Sequence, residues 1–529
     1  MATSHIFNGK NIKLPGAYSS IKSISSSAII STSYGKVLIV NTDPTLSFGG
    51  SINGELTKGN AALYRVRTLD EAQSLLRSGR LWNLCEPLFR PSLNEGVSGV
   101  SELLYINALT TTAPKFTITL ADKGEIEIKI KDEGTTNNGV ARDNILTAGY
   151  AISLGTGIRD TSKYIISIYR STYKGLASDK YAWDGNEIAA NELVCQSPEI
   201  SSVDEFVAWT KVDKNFNEGF VLSKSTAGTF AAADKTTNSF VLATGGTAVY
   251  NVTDLTAALD LLQNMDFNIL LSLNIDKAVG SDTINAKFQY FVQSETKYPR
   301  YLAIPGAEML ADNLTSATTL NSQRVWLVYG QPRTSASYIP IGYRIQDSVY
   351  MAALMVGRIA GLAPQIPPTF KDLNIVGLEK SLTVYEQEDC LDRGVLTAVY
   401  DNDLNSFVIL RGINTLQNNT SLQNNDGSSF SIQITRICSQ INQDIVTNIK
   451  KQIFGDQNGV NANTVSEEYL TDWIKVFLTS KVATETQDNL ILSFSDVSVR
   501  REGDTYWCSY KFETNSEIAF IFLTGFAIN

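Results

Sequence analysis

The run of residues 349–360, VYMAALMVGRIA, places the strongest constraint on how this chain can fold. Arranged as a helix, the run is apolar on almost every side, and Arg358 is its one charged residue. A helix of this kind needs other elements all around it, so the run predicts a large hydrophobic core. Pro364, Pro367 and Pro368 follow, and because proline cannot continue a helix they predict an extended passage.

The segment of residues 337–416 contains this helix and is called the hub below. Its second half predicts a short apolar strand at residues 406–410, closed by a turn of sequence Arg-Gly-Ile-Asn-Thr-Leu. Gly412, Asn414 and Thr415 are the candidate residues of this core turn. Physical chemistry alone identifies the hub as a hydrophobic centre and assigns it no function.

Length and composition indicate a large globular protein. The 529 residues are enough for three or four structural units at roughly 150 residues each. Hydrophobic residues make up 43% and charged residues 19% of the chain, so a core can form without metals or disulfides. With 44 basic and 54 acidic residues, the net charge of −10 argues against a general nucleic-acid binder, since such proteins carry a basic surface. A local basic patch is compatible with this balance.

Cysteine usage and hydropathy bear on the compartment. Five cysteines are scattered without a Cys-x-x-Cys pair, which predicts reduced, mostly buried thiols made in a cytoplasm. The first residues lack the apolar stretch that a signal peptide needs. The most apolar runs, residues 349–363 and 518–528, are shorter than the ~20 residues of a membrane-spanning helix. We therefore expect a soluble protein that is not exported.

The pattern of elements predicts a mixed α/β fold, of α+β type, with several domains. Apolar and polar residues alternate in residues 124–131, GEIEIKIK. This period of two is typical of a strand with one solvent-exposed face and indicates a β-rich insert. Apolar residues at steps of three and four from Ile434 predict a long amphipathic helix, and residues 223–238 predict a linker loop. The predicted segments are an extended arm (1–27), the N-terminal part of a discontinuous α/β core (28–114), a β-rich insert (115–234), an α/β middle domain (235–335), a C-terminal core (336–515) and a β arm (516–529).

Motifs that carry catalysis are mostly missing from the sequence. His5 is the single histidine, which excludes His-based metal clusters and Ser-His-Asp or Cys-His sites. The sequence also lacks a phosphate-binding G-x-x-x-x-G-K-[ST] loop. Acidic residues cluster at Glu386, Glu388, Asp389 and Asp392, a pattern more typical of a solvated face than of a glycosidase acid/base pair. We therefore predict no catalytic residue, no cofactor and no metal site.

The order of these elements resembles that of contractile-tail sheath proteins of phages and related injection machines. The resemblance is carried by the sequence Pro-Gly-Ala-Tyr from Pro15, a Gly-Gly turn at residues 245–246 before a helix, the hub with its core turn, and the long helix from Ile434. It extends over most of the chain. The chain is similar to a divergent member, because residues 363–370 lack the Trp-x-Ala-Pro-Ala-Asn passage that sheath proteins often carry.

The resemblance implies a sheath-type core and a mechanical function. Many copies would stack as hexameric rings around a tail tube, and contraction would drive the tube through the host envelope during genome ejection. The implied partners are further copies of the chain, the tail tube protein, and the baseplate and tail terminator or neck proteins, without nucleic acid or membrane insertion. The implied location is the phage virion, with assembly in the host cytoplasm.

In sheath proteins both termini pair with neighbouring subunits, and the resemblance implies this role for the two arms. Head-to-tail contacts of this kind do not close on themselves, so they generate helical tubes. The insert would face outward and the hub inward. The implied arm residues are Ile12, Leu14, Pro15, Gly16, Tyr18, Ile518, Phe520 and Phe522, and the candidates for contact with an acidic tube are Arg436, Lys450 and Lys451.

Two other classes of protein stay open. One is a different structural protein, such as a tail tube, baseplate or surface-layer component, which would not polymerise into hollow cylinders with a sheath lattice. The other is a polysaccharide-degrading tail enzyme, in which Glu386 or Asp392 would act as acid or base. Loss of an activity on substitution of either carboxylate would be needed to support the enzyme.

Overall fold

The computed structural model describes residues 5–7, 10–12, 34–42, 56–58, 61–76, 80–94, 96–112, 114–122, 124–130, 150–170, 172–173, 181–182, 192–244, 247–250, 252–275, 284–294, 300–335, 342–416, 429–454, 465–484, 489–503, 505–515 and 517. In chain order the strands are β1 His5–Phe7, β2 Lys10–Ile12, β3 Lys36–Asn41, β4 Leu56–Lys58, β5 Ala61–Val66, β6 Glu102–Asn107, β7 Leu109–Thr112, β8 Lys115–Thr119, β9 Glu125–Ile130, β10 Tyr150–Thr156, β11 Tyr164–Arg170, β12 Thr172–Tyr173, β13 Tyr181–Ala182, β14 Glu192–Gln196, β15 Phe220–Ser225, β16 Val241–Leu242, β17 Thr247–Tyr250, β18 Ile269–Ser272, β19 Tyr301–Pro305, β20 Val325–Tyr329, β21 Pro332–Ser335, β22 Tyr343–Ile345, β23 Gly377–Leu378, β24 Val395–Asp401, β25 Ser406–Ile409, β26 Ile491–Glu502 and β27 Thr505–Thr514.

The helices are α1 Leu69–Leu76, α2 Arg80–Phe89, α3 Val203–Val212, α4 Lys214–Gly219, α5 Ala232–Thr237, α6 Val252–Leu262, α7 Ile284–Ser294, α8 Leu310–Leu320, α9 Ser348–Ala360, α10 Val384–Arg393, α11 Ile432–Asn448 and α12 Glu467–Thr479. A π-helical turn, Ile449–Phe454, continues α11. Among the residues that the structure describes, no helix combines the length and apolar character that crossing a bilayer requires.

A nine-stranded sheet forms the centre of the molecule, in the order β25-β24-β20-β19-β18-β3-β6-β5-β4. The six strands from β24 to β6 are parallel, while β25 and β5 run antiparallel to them and β4 pairs antiparallel with β5. The parallel strands are apolar runs because both of their faces are buried. Segments 28–114, 235–335 and 336–515 all contribute strands, so they share one sheet. The predicted mixed α/β fold is confirmed.

Helices cover both faces of this sheet. α1, α2 and α9 pack on one face, and α6, α7, α8 and α10 pack on the other. All thirteen residues of α9 are buried, which confirms the helix predicted to be surrounded by core. Small residues let α2 approach it closely: a Cβ placed on Gly357 would lie 2.5 Å from the carbonyl oxygen of Pro87. The helix at the centre of the hub, α9, is therefore packed between the central sheet and α2.

The insert is a β-rich unit with its own core, and its helices α3 and α4 supply Phe206 and Phe216 to that core. Its described strands form the sheets β15-β9-β8 and β14-β11-β10-β16 and the short two-stranded sheet β12-β13. It extends to Thr244, which forms a bridge with Lys115. The antiparallel ribbon of β7 and β17, with Thr112 opposite Thr247, joins it to the rest of the chain.

The linker loop predicted at residues 223–238 is wrong, because that segment contains the end of β15 and all of α5. Asp234 is buried there and accepts hydrogen bonds from the backbone nitrogens of Ala121, at 2.6 Å, and Ala231, at 2.7 Å. A buried carboxylate needs such donors. These hydrogen bonds order a segment whose composition alone is typical of a loop.

A C-terminal unit packs α11, α12 and the hairpin of β26 and β27 around a separate cluster that includes Ile441, Trp473 and Phe477. The amphipathic stripe predicted from Ile434 is observed along α11, whose buried residues include Ile437, Ile441 and Ile445. The hydroxyl of Tyr301 in β19 donates to the carbonyl oxygen of Thr435 at 2.7 Å, so α11 is tied directly to the central sheet.

Candidate assembly interface

The lone charge of the buried helix is part of an ion pair. Arg358 is 5% exposed, and its Nη2 lies 3.0 Å from Oδ1 of Asp372. Its Nε donates to the backbone carbonyl of Asp372 at 3.1 Å, and the hydroxyl of Ser92 donates to the same carboxylate. A buried guanidinium is tolerated when it is paired in this way. The pair ties α9 to the passage that follows it and to the loop after α2.

The core turn connects three distant parts of the chain. Asn414 is fully buried; its Nδ2 donates to the carbonyl of Ser429 at 2.8 Å and its Oδ1 accepts from the nitrogen of Leu416 at 3.0 Å. The hydroxyl of Thr415 donates to the carbonyl of Ser322 and accepts from the nitrogen of Ser322, both at 3.1 Å. The turn therefore fastens the segment before β20 to the segment that leads into α11.

Gly412 in the same turn lies against the proline-rich passage. A Cβ at this position would be 2.8 Å from Cδ of Pro368, so a side chain there would have to displace the proline ring. The nitrogen of Gly412 donates to the hydroxyl of Thr369 at 3.1 Å. Thus the three candidate residues of the core turn are buried structural residues that hold the hub closed.

The last residue that the structure describes, Glu517, is held by the hub. Its Oε1 lies 3.1 Å from Nε of Arg411, and its Oε2 accepts from the hydroxyl of Thr369 at 2.7 Å. The side chain of Glu517 is 2% exposed and that of Arg411 is 19% exposed. We call Glu517, Arg411 and Thr369 the root cluster, because the C-terminal segment starts from it.

Asn515, two residues earlier, is fixed as well. Its carbonyl accepts from Nε2 of Gln433 in α11 at 2.8 Å. Its nitrogen donates to the carbonyl of Leu490, and its Nδ2 to the carbonyl of Asn489, both at 3.2 Å. Together with the root cluster, these bonds set where the C-terminal segment leaves the molecule.

Among the described residues, the hairpin of β26 and β27 forms a two-stranded sheet of its own. Within the part of the chain that the structure describes, its only further backbone bridge joins Val482 to Ile491. One face packs on α11 and α12, while Trp507, 59% exposed, and Leu492, 47% exposed, lie outside that packing. A strand edge with unpaired N–H and C=O groups is a template for another strand. This hairpin is thus a surface on which a further strand could be added.

The expected tube contact of Arg436 is wrong for this structure, because the residue is 6% exposed. Its Nη2 donates to the carbonyl of Leu362 at 2.6 Å, and burial lowers the pKa of the guanidinium to about 10. Arg436 therefore joins α11 to the end of the hub helix and presents no charge to a partner. Lys450 and Lys451, in the π-helical turn, are exposed, and their contact with a tube stays a prediction.

The predicted arm residues lie mostly outside the described residues. Ile12 is in β2, where its backbone pairs with His5 of β1. The remaining arm candidates, Leu14, Pro15, Gly16, Tyr18, Ile518, Phe520 and Phe522, fall outside the described ranges. Their roles stay predictions.

The acidic cluster lies on α10, and Glu386 caps that helix. Its carboxylate accepts from the nitrogen of Thr383 at 2.9 Å and from Lys380 at 3.0 Å. Bonds from the Thr383 backbone, then from Lys380 and the Thr383 hydroxyl, lower the pKa of Glu386 to about 2. A general acid needs the opposite shift, toward neutral pH. Among the described residues, no three His, Cys, Asp or Glu side chains are grouped so that they could hold a metal.

Sequence reasoning missed the root cluster. Arg411 and Glu517 are 106 residues apart, and a pair at that separation leaves no local pattern. The signal for the pair at Arg358 was present, because a single charge in an apolar helix requires a partner. The sequence could not say that the partner is Asp372.

No protein-family model matches this chain. The chain is 23% identical to the tail sheath protein of Bacillus phage SP01 over a 577-residue alignment that covers 96% of this chain and 94% of that protein. Its fold is similar to that of the sheath tail protein of Desulfitobacterium hafniense, with a TM-score of 0.59 and 13% identity over 94% of this chain and 100% of the other. It is also similar to the sheath tail protein Lin1278 of Listeria innocua, with a TM-score of 0.51 and 14% identity over 92% and 97% of the two chains.

Proposed function

From the premise that this chain is a divergent tail sheath protein, we propose that its copies stack as hexameric rings around a tail tube and contract to drive the tube through the host envelope. Its coarse function is that of a structural sheath subunit. The observation that carries the proposal is the relationship to a phage tail sheath protein across nearly the full length of both chains. Similarity confined to one domain would not support a whole sheath subunit.

The proposed joints between subunits are the two arms. The N-terminal arm at residues 1–27 and the C-terminal arm at residues 516–529 add strands to sheets of neighbouring copies. Among the described residues, the hairpin of β26 and β27 pairs with no further named strand and packs one apolar face on α11 and α12, which supports this strand addition. A subunit that gives strands to one neighbour and receives them from another makes a heterologous contact. Such contacts build a helical tube rather than a closed dimer.

Contraction is then a change in packing between subunit bodies while the arms stay paired. The central sheet and its two helical layers form the rigid part of each body. The insert, joined through the narrow ribbon of β7 and β17, faces outward, and Lys450 and Lys451 face the tube. The partners are further copies, the tube protein, and the baseplate and terminator or neck proteins. The sheath is a virion component that assembles in the host cytoplasm.

We propose no catalytic function for this subunit. The enzyme alternative requires a carboxyl group that can give or take a proton near neutral pH. Glu386 caps a helix, and its low pKa keeps it ionised. The phage protein to which the chain is 23% identical is a tail sheath protein.

Removal of each arm tests the proposal. Chains lacking residues 1–27 or residues 518–529 are expected to fold as monomers and to lose assembly, since each lacks one half of a joint. Sedimentation velocity reports assembly, and circular dichroism with thermal unfolding reports the fold. A folded truncated chain that still forms polymers like those of the full chain would contradict the role of that arm. The second truncation leaves Glu517 in place, so the body of the subunit keeps its root cluster.

A further inference from the structure

We infer that the ion pair between Glu517 and Arg411 anchors the C-terminal arm of each subunit to that subunit's own central sheet. The inference rests on the proposed function for the role of residues 518–529. The root cluster itself is observed: both carboxylate oxygens of Glu517 are bonded, one to Arg411 at 3.1 Å and one to Thr369 at 2.7 Å.

Both residues that hold Glu517 are connected to β25, the edge strand of the central sheet. Arg411 follows β25 by two residues. The chain just after Thr369 runs along the same strand: Phe370 donates to the carbonyl of Ile409 at 2.9 Å, and Ile409 donates to the carbonyl of Lys371 at 3.0 Å. Force applied to Glu517 therefore reaches the nine-stranded sheet through two short connections.

The alternative path runs through the hairpin. Without the ion pair, the C-terminal arm would be held at Asn515, whose backbone bonds lead to α11 and to the segment before β26. That hairpin is two-stranded and has one exposed face. It is a weaker support than a sheet covered by helices on both sides. The root cluster connects the C-terminal arm to the central sheet without passing through the hairpin.

Burial indicates that the pair is fixed rather than transient. The side chain of Glu517 is 2% exposed, and burying a carboxylate is costly unless it is paired and hydrogen-bonded. The guanidinium of Arg411 also lies over the ring of Phe430, 5.2 Å from its centroid. Arg411 is thus oriented by a ring at the start of α11 as well as by Glu517. A root ordered in this way lowers the entropy that the arm loses when it pairs with another copy.

The test compares Glu517→Gln and Arg411→Gln with Glu513→Gln. Glu513 is an exposed carboxylate in β27, four residues before Glu517, and it accepts a hydrogen bond from the hydroxyl of Ser493 at 3.1 Å, so it controls for the loss of a nearby negative charge. We expect the critical concentration for polymerisation to rise about tenfold in each root variant, which corresponds to about 1.4 kcal/mol. In the control it should stay unchanged.

A double-variant cycle separates an anchor from general destabilisation. If the two side chains act as one pair, the variant with both substitutions polymerises at the same critical concentration as either single variant, within about twofold. Independent effects that multiply would overturn the inference, and so would root variants that polymerise like Glu513→Gln. Thr369→Val, which removes the second bond to Glu517, supplies a further variant that leaves both charges in place; it is expected to raise the critical concentration as well.

The same experiment distinguishes this inference from the proposed function. If the chain without residues 518–529 polymerises normally, the proposed role of the C-terminal arm and the anchor fail together. If that truncation abolishes assembly while Glu517→Gln and Arg411→Gln have no effect, the anchor alone is contradicted.

Discussion

Asp444 and Lys481 form an ion pair inside the C-terminal unit, with Oδ2 and Nζ 2.8 Å apart and side chains 0% and 7% exposed. Asp444 lies on α11, and Lys481 follows the end of α12. Nε2 of Gln440 donates to the second carboxylate oxygen at 2.8 Å. The pair holds α11 against the segment that leads into the hairpin of β26 and β27. It therefore stabilises the hairpin on which a further strand is proposed to add.

Removal of one partner of this pair should be costly. Lys481→Met leaves the carboxylate of Asp444 buried without its counter-charge, which is expected to lower the free energy of unfolding by about 3–5 kcal/mol. Equilibrium denaturation of the monomer measures the change. Asp496→Asn is the control, because its pair with Lys511 has the same 2.8 Å separation but side chains 63% and 76% exposed. Equal effects at the two sites would contradict the role given to burial.

Excision of the insert should leave the subunit folded and able to assemble. Thr112 and Thr247 are cross-strand partners, so replacing residues 113–246 by Asn-Gly closes β7 and β17 as a hairpin. Since the insert has its own core, we expect the thermal midpoint of the remainder to fall by only a few degrees, or ~1 kcal/mol. Electron microscopy should show polymers with a reduced outer diameter. A folded variant that no longer assembles would place the insert at a subunit contact instead.

Charge reversal at the π-helical turn tests the proposed tube-facing surface. The variant with Lys450→Glu and Lys451→Glu is expected to assemble normally but to bind isolated tail tubes more weakly, because like charges would then face an acidic tube. Cosedimentation with purified tubes at two salt concentrations measures this binding. Lys475→Glu, on the exposed side of α12, is the matched control. Tube binding that is equal in all three proteins would remove these lysines from the interface.

The cap of α10 makes a prediction about pH. Because the pKa of Glu386 is lowered from 4.5 to about 2, its contribution to stability is present above pH 4.5 and is lost as the pH falls through about 2. Carbon-13 NMR of labelled glutamate carboxyl groups should show Glu386 still ionised at pH 3. Thr383→Ala removes the hydroxyl that donates to the carboxylate and should raise this pKa. A Glu386 resonance that titrates near 4.5 in the unsubstituted chain would contradict the capping geometry.

The sequence predicts well those elements whose burial follows from the pattern of apolar residues in a short segment. α9 is apolar on all sides, and β3, β18 and β20 are apolar runs, so their types and positions follow from periodicity. The stripe on α11 is equally local. The observed bounds of α9 and the observed start of α11 agree with the positions predicted from the sequence to within a few residues.

The remaining features depend on contacts between distant residues. α2 contains Pro87 and is held by its packing against α9, which its own sequence does not reveal. Arg436 carries a charge that sequence reasoning places at a surface, yet its partner is the carbonyl of Leu362, 74 residues away. The root cluster joins residues more than 100 positions apart. No local pattern encodes such pairs.

We propose that the working assembly is a tube of many copies joined through their termini. Electron microscopy of the purified full-length chain over a wide range of concentration tests this proposal. We expect hollow cylinders with a helical lattice of stacked rings. A single compact monomer at every concentration, with both termini folded on its own body, would contradict it.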